Sequence, residues 1–334
     1  MKKILLLSTC LLAVNLSFGQ SDKNFTHYMS DQISFNPAAT GFRGYCGTLL
    51  YRNQWMGVDG APSTFLFNGQ ANIEDAGMGV GISFMSDRIG FQVENDFKVT
   101  AAKHFNIVGA GYFSVGLGVG IINSGFIPAW VTPDGGLFDG GSSPVDPDLP
   151  GAVFQSKLDI NAGLFWRGEG DKYYIGLSST HLTQPLLEKV NFEKRRHLYA
   201  TGGMKIDYSM WSALGSNLTL KPSFLVISDL TTSNIEFTAL VDYKFIPDAS
   251  VYGGVAWRRE AIAVLLGLSK EVSNQDNEGL LKGSPDVLNF GLAYDINTTS
   301  FNKASNGSLE IWANYCIFPK DKSVSRHGNP FILQ

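Results

Sequence analysis

A chain of 334 residues that is 44% hydrophobic and 12% aromatic carries only 17% charged residues, against roughly a quarter in soluble domains. Its apolar content excludes a disordered chain, and its 37 glycines and near-zero mean hydropathy exclude a bundle of membrane helices. A net charge of -4 offers nothing to a phosphate backbone, so no nucleic-acid partner is expected.

At the start of the chain, Lys2 and Lys3 precede an apolar run from Ile4 to Leu16 and small residues at Ser17 and Gly19. Residues 1–19 therefore read as a secretory signal peptide, with Gln20 as the first mature residue. The run is too short to span a bilayer as a helix. Cys10 follows Leu7 and Ser8 as in a lipoprotein box, but Thr9 suits that cleavage poorly and the cut would halve the apolar stretch. Residues 20–43 form an N-terminal segment.

From residue 44 onward the chain alternates apolar and polar residues in segments separated by Gly, Pro, Asn and Asp clusters. In 157–167, Lys157, Asp159 and Asn161 oppose Leu158, Ile160, Ala162 and Leu164, and in 235–244, Glu236, Thr238, Asp242 and Lys244 oppose Ile235, Phe237, Ala239, Val241 and Tyr243. A soluble sandwich would alternate too, so the period alone does not decide. Length does more: the segments run about ten residues, as a tilted strand needs to cross a bilayer. Aromatics at segment ends (Trp55, Trp166, Tyr208, Tyr243, Trp257, Tyr294) suit interfacial girdles. Fourteen segments are predicted, at 44–55, 63–72, 78–86, 94–104, 109–122, 156–167, 172–180, 197–208, 217–228, 233–245, 249–258, 261–271, 286–295 and 308–318. The expected fold is all-β, a closed antiparallel transmembrane β-barrel over 44–319, followed by a polar tail at 320–334. With the first strand rising outward, the long connections 123–155 and 181–196 face outside; 272–285 is long where a short periplasmic turn is expected.

Before the first strand stands Asn36-Pro37-Ala38-Ala39-Thr40-Gly41, and closing it is Tyr51-Arg52-Asn53-Gln54-Trp55-Met56-Gly57-Val58-Asp59-Gly60-Ala61-Pro62. These two motifs, with a late strand reading Leu292 to Asn297, resemble the PorP/SprF family of the Bacteroidota type IX secretion system over essentially the whole mature chain. The resemblance implies a fourteen-stranded barrel in the outer membrane that works with type IX secretion components. Some members of that family serve the core machinery, and others accompany one secreted adhesin and hold its C-terminal domain at the cell surface.

Within the motif, Asn36-Pro37 fixes a turn expected to aim the first strand, since proline sets its own φ and excludes the preceding residue from helix space. Arg52 shares the inward phase of Thr48, where a carboxylate such as Glu310 could pair with it. Gly57, Gly60, Ala61 and Pro62 make a slim outer hairpin, either a docking loop or a turn that barrel geometry requires. Cys46, early in the first strand, and Cys316, late in the last, become neighbours near the periplasmic rim once the barrel closes. Both should point inward, and a disulfide is plausible in the periplasm, although an offset of two residues would defeat it.

No catalytic set is evident. His27, His104, His181, His197 and His327 have no metal-ligand spacing, and neither a GxSxG elbow nor a P-loop occurs. No cofactor is expected. The alternating glycines 77, 79 and 81, and 116, 118 and 120, lie in strand-like runs and mark close packing or bends rather than a nucleotide site. Asp134, Asp139, Asp146 and Asp148 match no EF-hand and read as a surface loop. Lys189, Lys194, Arg195 and Arg196 make an outward basic patch suited to lipopolysaccharide or an acidic partner. The leading expectation is a non-enzymatic barrel, embedded in outer-membrane lipid, whose loops and lumen bind a secreted adhesin. The alternative is a diffusion or uptake channel lined by Lys157, Asp159, Lys205 and Glu236.

Overall fold

The computed structural model of the chain describes residues 22–42, 44–128, 130–131, 137–138, 151–190, 192–207, 217–272 and 286–318. The expected signal peptide with Cys10, the four loop aspartates, Tyr208, the 273–285 connection, His327 and the expected 320–334 tail lie outside these residues. Fourteen strands follow the predicted segments to within a few residues. They are β1 (Tyr45–Asn53), β2 (Ser63–Ile73), β3 (Met78–Ile89), β4 (Gln92–Ile107), β5 (Gly111–Phe126), β6 (Val153–Gly168) and β7 (Tyr173–Thr180). Then come β8 (His197–Met204, continued by Ile206–Asp207), β9 (Leu218–Ser228), β10 (Ser233–Ile246), β11 (Ala249–Arg258), β12 (Ala261–Val272), β13 (Asp286–Asn297) and β14 (Ser308–Ile317).

Each strand pairs antiparallel with its neighbour in sequence, and β1 pairs with β14, so the sheet closes into a barrel with no free edge. The alternation now has a direction. Leu117 is 58% exposed and Leu266 60%, facing lipid, whereas Asp159 and Glu310 on the other phase are fully buried. Trp257, Tyr243 and Tyr294 lie on the lipid face, as girdle aromatics do. The longest connections, 127–152 and 181–196, share one rim, taken as the outer one because short turns face the periplasm in bacterial barrels. Cys46 and Cys316 lie at the opposite, inner rim, directly across from one another in register. A disulfide joins them, with Cα atoms 4.1 Å apart.

The core of the molecule is the lumen, and residues 22–42 occupy it. Thr26, His27, Tyr28, Met29, Asn36, Ala38 and Thr40 are essentially inaccessible to solvent. The segment starts at the outer rim, where the Asp22 N–H donates to His197, the first residue of β8 (3.1 Å), and descends to Phe42, whose ring is 4.2 Å from that of His104 near the inner end of β4. Two 3₁₀ turns, Gln32–Ser34 and Pro37–Ala39, take up the slack. Asn36 caps the second by accepting from the Ala38 N–H (2.9 Å), while its amide donates to the carbonyls of Leu164 (3.1 Å) and Leu177 (3.5 Å). The Asn36-Pro37 turn is thus a fitting inside the barrel, fastened to β6 and β7, and not the device that aims β1.

Inward glycines make this fit possible. A Cβ on Gly81 would lie 2.7 Å from the Ile33 side chain; on Gly79 it would strike Thr40, on Gly116 the Ala38 backbone, and on Gly163 the Asn36 carboxamide. The wall is therefore slotted where the segment runs along β3, β5 and β6, and this close approach accounts for Gly79, Gly81 and Gly116; Gly77 makes the turn into β3 at φ +54°, and Gly118 and Gly120 face wall neighbours, Thr100 with Asn161 and Phe97 with Lys98.

Two outcomes follow. Mass spectrometry of non-reduced tryptic digests should find residues 44–52 linked to residues 304–320, and recovery of two free thiols would overturn the bond. Gly116→Val should unseat the segment from β5, an overpacking cost of about 1–3 kcal/mol. It should then be cut by protease in an otherwise heat-resistant barrel, whereas unchanged protection would disprove the slot.

Candidate functional site: the filled lumen and the outer rim

The inward phase of the wall is rich in ionisable side chains, and a buried wall tolerates them only when they are paired. Three clusters do so around residues 22–27. At the β1–β14 seam Arg52 lies opposite Glu310 and bonds to it at 3.1 Å, and its other terminal nitrogen bonds to Asp295 of β13. Glu310 also accepts the backbone N–H of Thr26 (2.9 Å) and of His27 (2.9 Å) and meets His27 Nδ1 at 2.7 Å. The His27 ring stacks on Trp312, with centroids 5.6 Å apart. Beside this, Arg258 reaches Glu236 (3.3 Å), Asp295 (3.4 Å) and Thr26 Oγ1 (2.6 Å), and Asn24 donates to Glu236 (3.1 Å).

The third cluster lies nearer the outer rim. Lys23 binds Glu94 of β4 at 2.5 Å and Asp87 of β3 at 3.5 Å, and Lys194 binds Glu94 at 2.8 Å. Burial alone would lower the Lys23 pKa, but Glu94, Asp87 and Asp22 outweigh it and hold the ammonium above the usual lysine range. Lys194 is thus buried and turned inward, which corrects its place in an outward basic patch. Its short contact to Glu94 supplies a charge-assisted bond that solvent could not match. Lys189 and Arg195 do face outward; Arg196 is half-buried and donates to the Leu182 carbonyl (3.3 Å).

The two family motifs part company. Asn36, Pro37 and Gly41 sit in the lumen, where Gly41, at φ +82°, lies against Gly79 and its N–H donates to Gln70 (2.8 Å). Tyr51 faces lipid, 44% exposed. Gln54, Trp55, Gly57, Gly60, Ala61 and Pro62 build the outer turn. The Gln54 N–H donates to the Pro62 carbonyl (2.9 Å) and the Trp55 N–H to Ser308 Oγ (3.1 Å). Gly57 and Gly60 adopt φ +88° and +71°. Between this turn and the 298–307 connection the Met56 N–H donates to the Gly307 carbonyl (2.8 Å) and the Met56 carbonyl accepts from the Asn306 N–H (2.8 Å), and Gly60 accepts from Gly90 (2.8 Å). The turn therefore ties neighbouring outer connections together. Residues 22–31 escaped the sequence analysis as functional positions, although Phe25, Tyr28, Met29 and Ile33 are unusually apolar for a solvated leader.

A family model described as "Type IX secretion system membrane protein PorP/SprF" matches residues 17–315. The chain belongs to the PorP/SprF family. It is accordingly a β-barrel of the outer membrane and of type IX secretion. No curated protein matches it. Among solved structures it is similar to the CymD monoaromatic hydrocarbon channel, at 11% identity and a TM-score of 0.50, over 93% of this chain and 96% of that one. The Ralstonia pickettii toluene transporter TbuX (12%, TM-score 0.48, 87% and 93%) and a Pseudomonas aeruginosa FadL homologue (12%, TM-score 0.48, 84% and 92%) are also similar. At such identity the CymD likeness is one of fold. A PorP/SprF barrel with this lumen stands or falls with its charge pairing, and Arg52→Met should leave Glu310 and Asp295 without their shared cation. The expected loss is about 3–5 kcal/mol of barrel stability, read as earlier unfolding of the heat-modifiable band, and no shift would overturn the pairing.

Proposed function

We propose that this barrel binds a secreted adhesin through the adhesin's C-terminal domain and anchors it, or helps its export, at the outer rim. Membership of a type IX secretion family supports a protein partner, and the filled lumen is the observation that carries the choice of surface. Phe35 stacks on Tyr199 of β8 (5.3 Å), Tyr28 reaches Ser223 of β9 (2.9 Å), and the two Asp31 carboxylate oxygens lie 2.7 and 2.9 Å from the Asn68 amide of β2. With the segment fastened to opposite walls, the lumen has no room for a folded domain, so recognition moves outward from the lumen to the connections. The outward Lys189 and Arg195, close to the short ribbon Leu186–Leu187 with Phe192–Glu193, offer a cationic contact to an acidic partner face.

The channel alternative places Asp159 and Glu236 along an aqueous pore. Both are fully buried, Glu236 bonded to Asn24 and Asp159 to His181 Nδ1 (3.0 Å), so conduction would first require residues 22–42 to leave. Cross-linking in native membranes should yield adhesin and secretion-component peptides joined to residues 54–62 or 182–196. Lys189→Glu with Arg195→Glu should lower adhesin retention several-fold at unchanged barrel abundance. Purified protein that conducts ions in planar bilayers and brings down no secretion component, or a deletion strain that keeps all its surface adhesins and secretion, would overturn the proposal.

A further inference from the structure

His181 follows the last residue of β7 and His197 opens β8, 16 positions apart with no ligand spacing between them, yet the barrel brings both to Asp22 at the outer end of the lumen. One ligand atom from each residue lies within 4.8 Å of the other two. His181 Nε2 is 3.3 Å from the Asp22 carboxylate, and His197 Nε2 is 3.1 Å from the Asp22 backbone nitrogen. Donor atoms around a tetrahedral ion with bonds of about 2.0–2.1 Å stand about 3.4 Å apart, so side-chain shifts of an ångström or so would close the set.

The tautomers are set for it. His197 Nδ1 faces the Arg195 carbonyl at 3.0 Å, which can only accept, so the proton sits on Nδ1 and the Nε2 lone pair points into the cluster, where it accepts the Asp22 N–H. His181 Nδ1 faces the buried Asp159 carboxylate at 3.0 Å, the carboxylate–histidine arrangement that orients and strengthens a metal-binding imidazole. Tyr199 donates to Asp22 Oδ2 (2.7 Å) and fixes the carboxylate. The nearest ammonium, Lys194, is 3.8 Å from Asp22 and closer to Glu94, at 2.8 Å.

We propose that Asp22, His181 and His197 form a binding site for a divalent transition-metal ion of the Zn²⁺ class. Two imidazoles and one carboxylate with an open fourth position suit such an ion and not Ca²⁺ or Mg²⁺, which take oxygen shells. The ion sits between His181 Nε2, His197 Nε2 and the Asp22 carboxylate, and it staples the outer end of the lumenal segment to β7 and β8.

The test uses full-length barrel in detergent, stripped with EDTA. Co²⁺ should give a saturable four-coordinate absorption at one equivalent per chain, displaced by Zn²⁺. His181→Gln and His197→Gln should each weaken Zn²⁺ binding at least about 10-fold, and Asp159→Asn, a positioning residue, about 10–100-fold. If the variants fail to fold, X-ray absorption of the Zn²⁺-loaded wild type decides: two imidazoles in the shell uphold the site, and fewer than two overturn it. No saturable uptake of either ion by the wild type, or unchanged affinity in folded variants, also overturns it.

Discussion

Glu310 joins the two ends of the chain to each other and to what lies between them. It sits on the last strand opposite Arg52 of the first, so one charged pair spans the seam on which closure depends. The same carboxylate receives the Thr26 and His27 N–H groups and thereby holds the lumenal segment. Its environment makes the contacts interdependent: a buried carboxylate is costly without partners, so Arg52, His27 and the two amides are each needed. Closure of the barrel and seating of residues 22–42 are therefore one event energetically. The disulfide at the other end of the same seam ties the inner rim, where no comparable ion pair joins β1 to β14 among the described residues.

This arrangement changes what the polar phase of the strands is for. In an aqueous pore, Asp87, Glu94, Asp159, Glu236, Asp295 and Glu310 would be hydrated and could stay unpaired. Here each touches a cation, a histidine or a hydroxyl, and Glu94 alone serves two lysines at 2.5 and 2.8 Å. The wall resembles one half of a protein core that happens to be polar, and residues 22–42 are the other half. The charge that the strands carry at Arg52, Asp159, Glu236 and Glu310 is thus turned inward and paired, while other charged residues, such as Asp75, Lys189 and Arg259, lie exposed in the connections.

Strand number, strand limits and the facing of side chains were legible because a period of two and a length set by bilayer thickness are local properties. The Arg52–Glu310 and Cys46–Cys316 juxtapositions could be read as well, since closing an even-stranded barrel forces the first and last strands together. The lumenal segment could not be read, because residues 20–43 have no period and their partners are scattered over most of the strands. Indirect signs existed: inward glycines at 79, 81, 116 and 163 leave slots in the wall that the lumenal segment enters. Inward carboxylates on β3, β4, β10 and β13 also outnumbered the cations beside them in sequence. The meeting of His181, His197 and Asp22 needs the same missing element, and so histidine spacing alone gave no hint of it. Lys194 misled for a related reason, as a lysine in a long outer connection looks solvated until the carboxylate beneath it is known.

The path of residues 22–42 constrains assembly. Asp22 lies at the outer rim and Gly44 at the inner rim, where an added Cβ would lie 2.5 Å from the Ile317 carbonyl of the last strand. The chain must therefore cross the height of the lumen before β1 begins. Once β1 and β14 have paired, the segment could reach this place only by threading, and Arg52 and Glu310 would have been buried together without Thr26 and His27 to complete their bonds. The segment's slots on β3, β5, β6 and β7 lie away from the seam and do not draw on the β1–β14 pairing. With residues 22–42 packed along the height of the lumen, the outer connections are the surface on which the proposed recognition rests.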